Sequence, residues 1–370
     1  MIGKKILKQS AALFISALLL APAPIASAAE ADLALPEECS QELMEENIRS
    51  TNNDFKIQNG VLIRYNGNAE KAVIPENVKA IGKGAFQYCH KLKSVSIPKS
   101  VKTIGKDAFS YSGLRNISIP KSVEHIGDNA FYFCLELKSV NIPNSVKTIG
   151  DAAFYGCEKL KRISIPKGVK TIGTCAFQSC ISLESVNIPK SVKTIGTYAF
   201  CYCSSLKNIN IPNSVKRIGE AAFRDCSKLK SIKIPKNVNY IGSSAFDNCS
   251  GLKNIVIPKN VKYIESYTFY RCKGLKSVSI PNGVKSIRTW SFSYCTGLKK
   301  AVIPNSVKKI EDNAFSFCTG LNSVVIPKSV TKINKNAFAG CSEKLVIYGS
   351  KNSEAERFAK KSGYAFRIKK

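Results

Sequence analysis

An Ile-Pro pair recurs twelve times between positions 74 and 327, and this repetition constrains the fold more than any other feature of the chain. Of the eleven intervals between the prolines, ten are 23 residues long and one is 22. A fixed period of this length predicts a solenoid, in which each repeat forms one coil that packs only on its neighbours. The length of 370 residues would otherwise suggest two domains, but a solenoid core grows along one axis. We therefore predict one elongated repeat domain.

Each repeat divides into three pieces, as residues 92–109 illustrate. Leu92, Val95 and Ile97 alternate with polar residues, which predicts a short strand that ends at Pro98, because proline cannot donate to a sheet ladder. A Val-x-x-Ile-Gly sequence over residues 101–105 predicts a second inward-facing segment and a tight bend. An Ala-Phe pair, with a cysteine three residues after the phenylalanine in most repeats, then predicts about one helical or 3₁₀ turn that buries both side chains.

No single coil can shield these apolar groups from water. Stacking the coils at roughly 4.8 Å, the spacing of paired strands, aligns each apolar residue type in a continuous column. The sequence therefore predicts that residues at the same repeat position become neighbours in space.

The repeat unit Leu-x-x-Val-x-Ile-Pro-x-x-Val-x-x-Ile-Gly-x-x-Ala-Phe-x-x-Cys resembles the BspA-like, treponemal-type leucine-rich repeat family, and the match covers about 270 residues. The resemblance implies a β-rich leucine-rich repeat solenoid of about twelve 23-residue coils with a parallel sheet on one face. It also implies a place among exported surface or adhesive proteins of bacteria. In the last coils, other residues replace the glycine of the unit: Glu265, Arg288, Glu311 and Asn334.

The first 28 residues have the pattern of an export signal. Lys4, Lys5 and Lys8 precede an apolar run over residues 11–20, and Ala-Ser-Ala at 26–28 offers small residues for cleavage. The apolar run is too short for a membrane-spanning helix, and no second run of spanning length follows. We predict no transmembrane segment and a chain that is exported, either secreted or associated with the cell surface.

Both ends of the repeat domain should carry caps, because an open sheet end can pair with other chains. Residues 29–72 are predicted to form an N-terminal cap, with a short helix and a hairpin that turns at Asn59-Gly60. The solenoid is assigned to residues 73–341. Ser353 and Glu356 form a capping box that predicts a helix within a C-terminal cap over residues 342–370.

Eleven of the fourteen cysteines share one repeat position and should form a column inside the solenoid. Stacked coils hold Cβ atoms about 4.8 Å apart, whereas a disulfide needs about 3.8 Å, so we predict free thiols that act as small apolar fillers. Three cysteines depart from this pattern: Cys39, Cys175 and Cys201. Their positions would allow exposure to solvent, and the sequence assigns no disulfide partner to any of them.

Catalysis finds little support in the sequence. His90 and His125 lie at non-core repeat positions, where solvated side chains are expected, and no acid or nucleophile recurs beside them. There is no phosphate loop, zinc-ligand spacing or serine elbow, and a line of cysteines does not converge on a metal. We predict a non-enzymatic protein with no catalytic residues, no metal site and no cofactor.

The formal net charge is +30, and the repeats carry the excess, since residues 29–57 contain eight acidic residues against two basic ones. One set, the return lysine column, follows the second valine of the coil: Lys79, Lys102, Lys147, Lys170, Lys193, Lys216, Lys262, Lys285 and Lys308. Another set, the strand lysine column, follows the strand leucine: Lys93, Arg115, Lys138, Lys161, Lys207, Lys230, Lys253, Lys276 and Lys299.

Like charges about 5 Å apart repel by about 1 kcal/mol in water, and a polyanion would relieve that repulsion. The functional interpretation of the return lysine column is contact with an acidic polysaccharide or wall polymer. The alternative is a solvated lysine face that keeps the solenoid soluble and prevents its sheet edges from pairing with other chains. Nucleic acid is disfavoured, because aromatic residues do not alternate regularly with the lysines and an exported protein leaves the cytoplasm.

Four aromatic residues stand at variable positions of the late coils. Tyr240 and Tyr263 share one repeat position, and Tyr267 and Trp290 share another. Aromatic side chains outside a core can stack on sugars or anchor a protein partner. The alternative is that they pack on one another and on the last coils.

These features favour an exported, non-enzymatic binding or adhesion protein that recognises an extracellular protein or glycan through a basic solenoid surface. The adhesive role rests on the family resemblance, and the basic surface rests on the residues. The alternative is a polyanion-binding or wall-associated structural protein without recognition of a specific partner. A secreted hydrolase would need converging acids or a nucleophile, which the sequence lacks.

Overall fold

The computed structural model describes residues 51–369, which form a β-solenoid of about 13 turns of about 23 residues. The predicted leucine-rich type of solenoid is confirmed. The predicted export signal, the helix of the N-terminal cap and Cys39 lie outside the described residues. The proposed domain limits stay a prediction.

Each coil contributes a first short strand, the A strand, in which a buried or half-buried residue lies between two outward-facing ones. Neighbouring A strands pair in parallel, as Arg162, Ile163 and Ser164 do with the residues 23 positions later. In one coil the strand is reduced to a single bridge between Asn210 and Lys233. The A strands are Lys71–Val73, Ser94–Ser96, Asn116–Ser118, Ser139–Asn141, Arg162–Ser164, Ser185–Asn187, Asn208–Asn210, Asn254–Val256, Ser277–Ser279, Lys300–Val302 and Ser323–Val325.

A second short strand, the B strand, follows in each coil and ends in a buried isoleucine. Its two residues again pair in parallel with those of the next coil, as at Ile195 and Ile218. The B strands are Ala80–Ile81, Thr103–Ile104, His125–Ile126, Thr148–Ile149, Thr171–Ile172, Thr194–Ile195, Arg217–Ile218, Tyr240–Ile241, Tyr263–Ile264, Ser286–Ile287, Lys309–Ile310 and Lys332–Ile333.

The B-strand ladder is interrupted in two places. Pairing stops between Tyr240–Ile241 and Tyr263–Ile264, the coil in which Glu265 replaces the glycine of the repeat, and between Thr148–Ile149 and Thr171–Ile172, where the glycine is kept. The ladder continues past Arg288, Glu311 and Asn334, whose amides donate to carbonyls of the preceding coil at 2.9–3.0 Å. Loss of the glycine therefore does not by itself break the pairing.

The third piece of the coil is a run of β-turns instead of the expected helical or 3₁₀ turn. Alternate backbone amides, those of Gly84, Phe86 and Tyr88, donate to carbonyls of the next coil at 2.7–2.9 Å, and the amides between them donate to carbonyls three residues back. Gly84 and Tyr88 have φ angles of 62° and 63°. These left-handed residues turn alternate amides toward the neighbouring coil, whereas a helix would keep its backbone bonds within the segment. The same geometry recurs along the chain, mostly at residues other than glycine.

Twelve phenylalanines form the centre of the core, in one column from Phe86 to Phe338. All are fully buried, and neighbouring rings are nearly parallel, with centroids 4.9 Å apart at Phe86–Phe109 and 5.5 Å apart at Phe154–Phe177. This ring column confirms the predicted alignment of equal repeat positions. The distance between neighbouring ring centroids, 4.9–5.5 Å, gives the spacing of the coils in the core.

The cysteines of the repeat form a thiol column beside the rings, and all eleven are free thiols, as predicted. Ten of them donate Sγ–H to a phenylalanine carbonyl oxygen of the preceding coil at 3.0–3.2 Å, as Cys226 does to Phe200. The prediction of a small apolar filler therefore missed a polar role. In this position cysteine fills space and also supplies a hydrogen bond to a buried carbonyl group.

The N-terminal end of the ring column is covered by a β-hairpin of strands Phe55–Gln58 and Val61–Tyr65, preceded by a short 3₁₀ helix at Asn52–Asp54. Asn59 and Gly60 have φ angles of 51° and 73°, which is the geometry expected of a two-residue hairpin turn. The Tyr65 ring lies 5.2 Å from that of Phe86.

At the C-terminal end, strand Val346–Gly349 extends an A-strand ladder, helix Glu354–Ser362 follows, and strand Ala365–Ile368 closes the chain. Ser353 Oγ accepts a hydrogen bond from the Glu356 amide, as expected of the helix cap. The helix places Phe358 against Phe338, with ring centroids 5.7 Å apart.

Replacing one central ring tests the ring column. Phe200 lies between Phe177 and Phe223 at centroid distances of 5.4 and 5.5 Å. We expect Phe200→Ala to lower the free energy of unfolding by about 3–5 kcal/mol in urea denaturation, because it leaves a cavity between two rings. The matched control is Phe317→Ala, since Phe317 is 38% exposed and should cost less than about 1 kcal/mol. Equal losses of unfolding free energy in the two variants would contradict the conclusion that the buried ring column stabilises the core.

Thiol labelling tests the buried column. Burial raises the pKa of the Cys180 thiol to about 12, so little reactive thiolate exists at about pH 8. In a Cys39→Ser chain we expect a thiol-reactive disulfide to modify the folded protein slowly and at most at the half-buried Cys89, Cys175 and Cys341, and to modify all thirteen described cysteines after unfolding in urea. Rapid labelling of further thiols in the folded chain would refute this placement.

Candidate functional site

The structure places all nine lysines of the return lysine column on the surface, each directly before a B strand. Backbone hydrogen bonds join several of them from coil to coil: the Lys193 amide donates to the Lys170 carbonyl at 2.8 Å, and the Lys216 amide donates to that of Lys193 at 2.9 Å. The side chains of these three lysines therefore leave the backbone in adjacent coils.

A single acidic residue interrupts the return lysine column. Glu124 takes one position and accepts a hydrogen bond from Lys147, which holds the pKa of the Glu124 carboxyl below its ordinary value. Among the described residues, no acidic side chain forms an ion pair with the remaining eight lysines of the column. Two uninterrupted groups remain: Lys170, Lys193 and Lys216, and Lys262, Lys285 and Lys308.

The strand lysine column lies directly before the A strands and is exposed except for the half-buried Lys93. Lys93 pairs with Glu70 of the preceding coil, and Lys207 pairs with Glu184 at 3.1 Å. The longest stretch without an acidic residue runs over five coils, from Lys207 to Lys299.

Tyr240 and Tyr263 occupy one repeat position, but each packs against an arginine. The Arg217 guanidinium carbon lies 4.2 Å from the Tyr240 ring centroid, and the Arg288 guanidinium carbon lies 4.6 Å from that of Tyr263. Arg288 also pairs with Glu265. The B-strand ladder is interrupted between the two tyrosines, which agrees with their separate packing.

Tyr267 and Trp290 do pack on each other, with nearly parallel rings whose centroids are 6.2 Å apart. They lie on the turn face, which we define as the surface formed by the positions equivalent to Gly84, Gln87 and Tyr88 in each coil. This contact supports the alternative interpretation, in which the late aromatics pack together. It also leaves Tyr267 39% exposed.

Three further aromatic residues enlarge this group, and the sequence analysis did not single them out. Tyr270 meets both Tyr267 and Trp290 edge-on, at 5.4 and 6.0 Å, and Tyr294 stacks on Phe317 at 4.6 Å. Tyr270 also meets Tyr294 edge-on at 5.7 Å, so all five rings form one late aromatic cluster. Sorting aromatic residues by repeat position across all three columns of the turn face would have found it.

A second group, the early aromatic cluster, occupies the same face in the first coils and was also missed. Its rings make stacked, tilted and edge-on contacts, among them Tyr88–Tyr111 at 5.1 Å and Tyr132–Tyr155 at 4.9 Å. The early aromatic cluster consists of Tyr88, Tyr111, Tyr132, Phe133 and Tyr155.

Between the two clusters the turn face carries charged groups. Arg224 lies 3.2 Å from an Asp225 oxygen and 3.3 Å from an Asp247 oxygen. Burial raises the pKa of the Asp247 carboxyl to about 6, in opposition to the lowering effect of Arg224. Asn248 donates to Asp225 at 2.7 Å, so this group is bonded within itself.

Two of the irregular cysteines also lie on this face. Cys175 is half-buried, whereas Cys201 is fully buried, so the expectation that Cys201 could be exposed is wrong. Cys201 occupies the repeat position of Gln178 and Arg224, whose longer side chains are half-buried. Both cysteines are free thiols.

The histidines are exposed, as expected. His125 Nδ1 lies 2.9 Å from the Thr148 hydroxyl, and the His90 ring is tilted relative to the Tyr88 ring at a centroid distance of 6.2 Å. Within residues 51–369, no group of three or more His, Cys, Asp or Glu side chains is arranged to hold a metal ion. The same part of the chain contains no helix long and apolar enough to cross a membrane.

Comparison with known proteins identifies the repeat. A family model described as "BspA type Leucine rich repeat region" matches residues 56–157, 124–253 and 241–361. A leucine-rich repeat protein from Bacteroides ovatus ATCC 8483 is 30% identical, and the match covers 87% of this chain and 92% of that chain with a TM-score of 0.73. No match was found among curated proteins.

Two other solved structures are similar. A leucine-rich cell surface protein from Faecalibacterium prausnitzii A2-165 is 30% identical over 83% of this chain and 96% of that chain, with a TM-score of 0.55. A leucine-rich repeat protein from Eubacterium ventriosum ATCC 27560, 24% identical over 76% and 88% of the two chains, shares the fold with a TM-score of 0.51. Proteins with this repeat are generally non-enzymatic and bind protein partners. On the repeat match and the identity to the Bacteroides protein, the chain belongs to the BspA-type leucine-rich repeat family.

Proposed function

We propose that this chain is an exported binding or adhesion protein that attracts an acidic extracellular macromolecule through its return lysine column. The observation that carries the proposal is the alignment of exposed lysines in adjacent coils with few acidic partners. The groups at Lys170, Lys193 and Lys216 and at Lys262, Lys285 and Lys308 are its strongest parts.

The physical reason is the coil spacing. Ring centroids in the core are about 5 Å apart, so lysines at one repeat position start from backbone atoms at similar distances. Like charges at that distance repel by about 1 kcal/mol per neighbouring pair in water. A linear polyanion neutralises several of them at once and releases its own counterions, as acidic polymers do on basic surfaces.

Export is proposed from the N-terminal pattern of residues 1–28 and is supported by the cell-surface description of the Faecalibacterium protein. The domain limits predicted above belong to the same proposal, with caps over residues 29–72 and 342–370. An acidic polysaccharide or wall polymer fits an exported protein better than nucleic acid does.

Binding at the late aromatic cluster would distinguish recognition of a specific partner from general attraction between charges. Trp, Tyr and Arg dominate the energetic centres of protein interfaces, and here Tyr267, Trp290 and Tyr270 lie together with Arg271, whose guanidinium carbon is 4.9 Å from the Tyr270 ring centroid. A partner that binds there would be an extracellular protein or glycan. Tyr240 and Tyr263 would contribute through their arginine-covered rings. Without such a partner, the protein would be a polyanion-binding or wall-associated structural protein.

Charge removal tests the return lysine column. The triple variant Lys170→Gln, Lys193→Gln and Lys216→Gln should weaken binding to an acidic polysaccharide at least about tenfold, since it removes adjacent contacts to one polymer. Binding is measured on a glycan and matrix-protein array at about 50 and 300 mM salt, with DNA and RNA included. Charge binding should weaken at the higher salt concentration.

The matched control removes the same number of charges from scattered positions. Lys83, Lys228 and Lys335 are exposed, lie in coils far apart along the chain and belong to neither lysine column, so their change to glutamine alters the net charge equally. If the control triple weakens binding as much as the column triple, net charge alone explains the attraction and the column has no special role.

Trp290→Ala tests recognition by the late aromatic cluster. We expect any partner that stays bound at about 300 mM salt to lose at least about tenfold in affinity, because central aromatic residues carry most of an interface's binding energy. Tyr198→Ala is the control, since Tyr198 is an aromatic residue at the same repeat position in a central coil and also has a positive φ angle. If Trp290→Ala binds every partner as tightly as the unchanged chain does, and all binding weakens with salt, the results would favour the alternative of a polyanion-binding protein without a specific partner.

A further inference from the structure

A cavity of about 480 Å³ lies beside the first coil. One wall is formed by residues 64–69, which are the end of the second hairpin strand and the residues after it, and the other is the turn segment 87–92. Its volume falls within the range of about 300–1,000 Å³ that is usual for small-molecule sites. None of the lysines of the return lysine column lines it.

Tyr88 gives the cavity an exposed aromatic surface. Its ring stacks on Tyr111, and Tyr111 stacks on Phe133 at 5.5 Å, so both faces of the Tyr111 ring are covered. Tyr88 is the first ring of this stack, and no ring is stacked on its other face among the described residues. The side chain is 58% exposed and lines the cavity. One ring face is therefore available to a ligand.

The cavity is also basic. Arg64 and Lys91 line it together with His90, and its lining contains no aspartate or glutamate. Within residues 51–369, neither Arg64 nor Lys91 forms an ion pair, in contrast to Lys93, which pairs with Glu70. The Asp54 carboxyl lies beside Gly67, but it forms no ion pair with Arg64 or Lys91.

Amide side chains complete the lining. Asn66, Asn68 and Gln87 face the cavity, and each offers both hydrogen-bond donors and an acceptor. Such groups suit a ligand with several hydroxyl groups. A simple inorganic anion would use the cations and leave the aromatic face and the amides without contacts.

We propose that this first-coil cavity binds a sugar residue that carries a carboxylate. The C–H face of the sugar ring packs on Tyr88, the carboxylate is held by Arg64 and Lys91, and the amide side chains bind hydroxyl groups. The inference goes beyond the proposed function, because it assigns a separate site and a ligand unit. It shares with that function only the negative charge of the ligand, so either can fail alone.

Titration calorimetry on the purified full chain tests the site with D-glucuronate as the probe. A ligand of this size with ordinary efficiency binds with a dissociation constant of about 1 mM. We expect D-glucose and inorganic phosphate to bind at least about tenfold more weakly, since glucose lacks the carboxylate and phosphate lacks the sugar ring. The return-column triple variant should keep its affinity for glucuronate.

Variants at Tyr88 separate ligand binding from folding. Tyr88→Ala should weaken glucuronate binding at least about tenfold, and Tyr88→Phe should keep it within about twofold, because the ring face remains. Tyr202→Ala is the matched control: Tyr202 has the same repeat position, a φ angle of 61° and 43% exposure, but it lies in a central coil away from the cavity. Arg64→Gln should also cost at least about tenfold.

Several results would overturn the assignment. Phosphate binding as tight as glucuronate binding would reduce the site to a general anion contact. Glucose binding as tight as glucuronate binding would remove the role of the cations. Equal losses in Tyr88→Ala and Tyr202→Ala, tighter binding of a nucleoside monophosphate, or no heat of binding at about 10 mM glucuronate would each refute the proposal.

Discussion

Contact between successive coils, at a spacing of about 5 Å, is the constraint on which the rest of this protein depends. The phenylalanine rings fill the core only as a stack, and alternate amides of each turn find acceptors only in the next coil. Ten of the repeat thiols bond to a carbonyl of the preceding coil, as Cys226 does. A single coil would leave all of these groups unsatisfied, so several coils must stack before the repeat forms a stable body.

The same spacing organises the surface. Residues 23 positions apart become direct neighbours, so a residue type repeated in sequence becomes an array in space. The lysine columns arise in this way, and so do four Lys–Glu pairs between coils, in which the glutamate lies one coil earlier. Stacking also covers ring faces, as it does on both sides of Tyr111, whereas Tyr88 at the start of that stack keeps one face on which no ring is stacked. Binding capacity therefore depends on position within the stack as well as on residue type.

Much of the fold could be predicted because the core positions repeat with little variation. The strand positions of Val95 and Ile104, the buried rings and the hairpin turn at Asn59-Gly60 were all expected from spacing and residue type. The third piece of the coil was not. Its left-handed residues include Tyr88 and Trp290, and bulky residues rarely adopt positive φ angles, so no glycine signal revealed the turns. Inter-coil hydrogen bonds offset the cost of that conformation.

The period, the inward-facing residues, the free thiols of the repeat and the columns of lysine all follow from the residue types that recur at each repeat position. Contacts between different repeat positions arise from the three-dimensional path of the chain. That path places Tyr270 against Tyr267 and Trp290, which share another column, and it buries Cys201. It also brings residues 64–69 against the first turn to form a cavity. Such contacts depend on the path of the backbone around the coil, which a one-dimensional repeat does not encode.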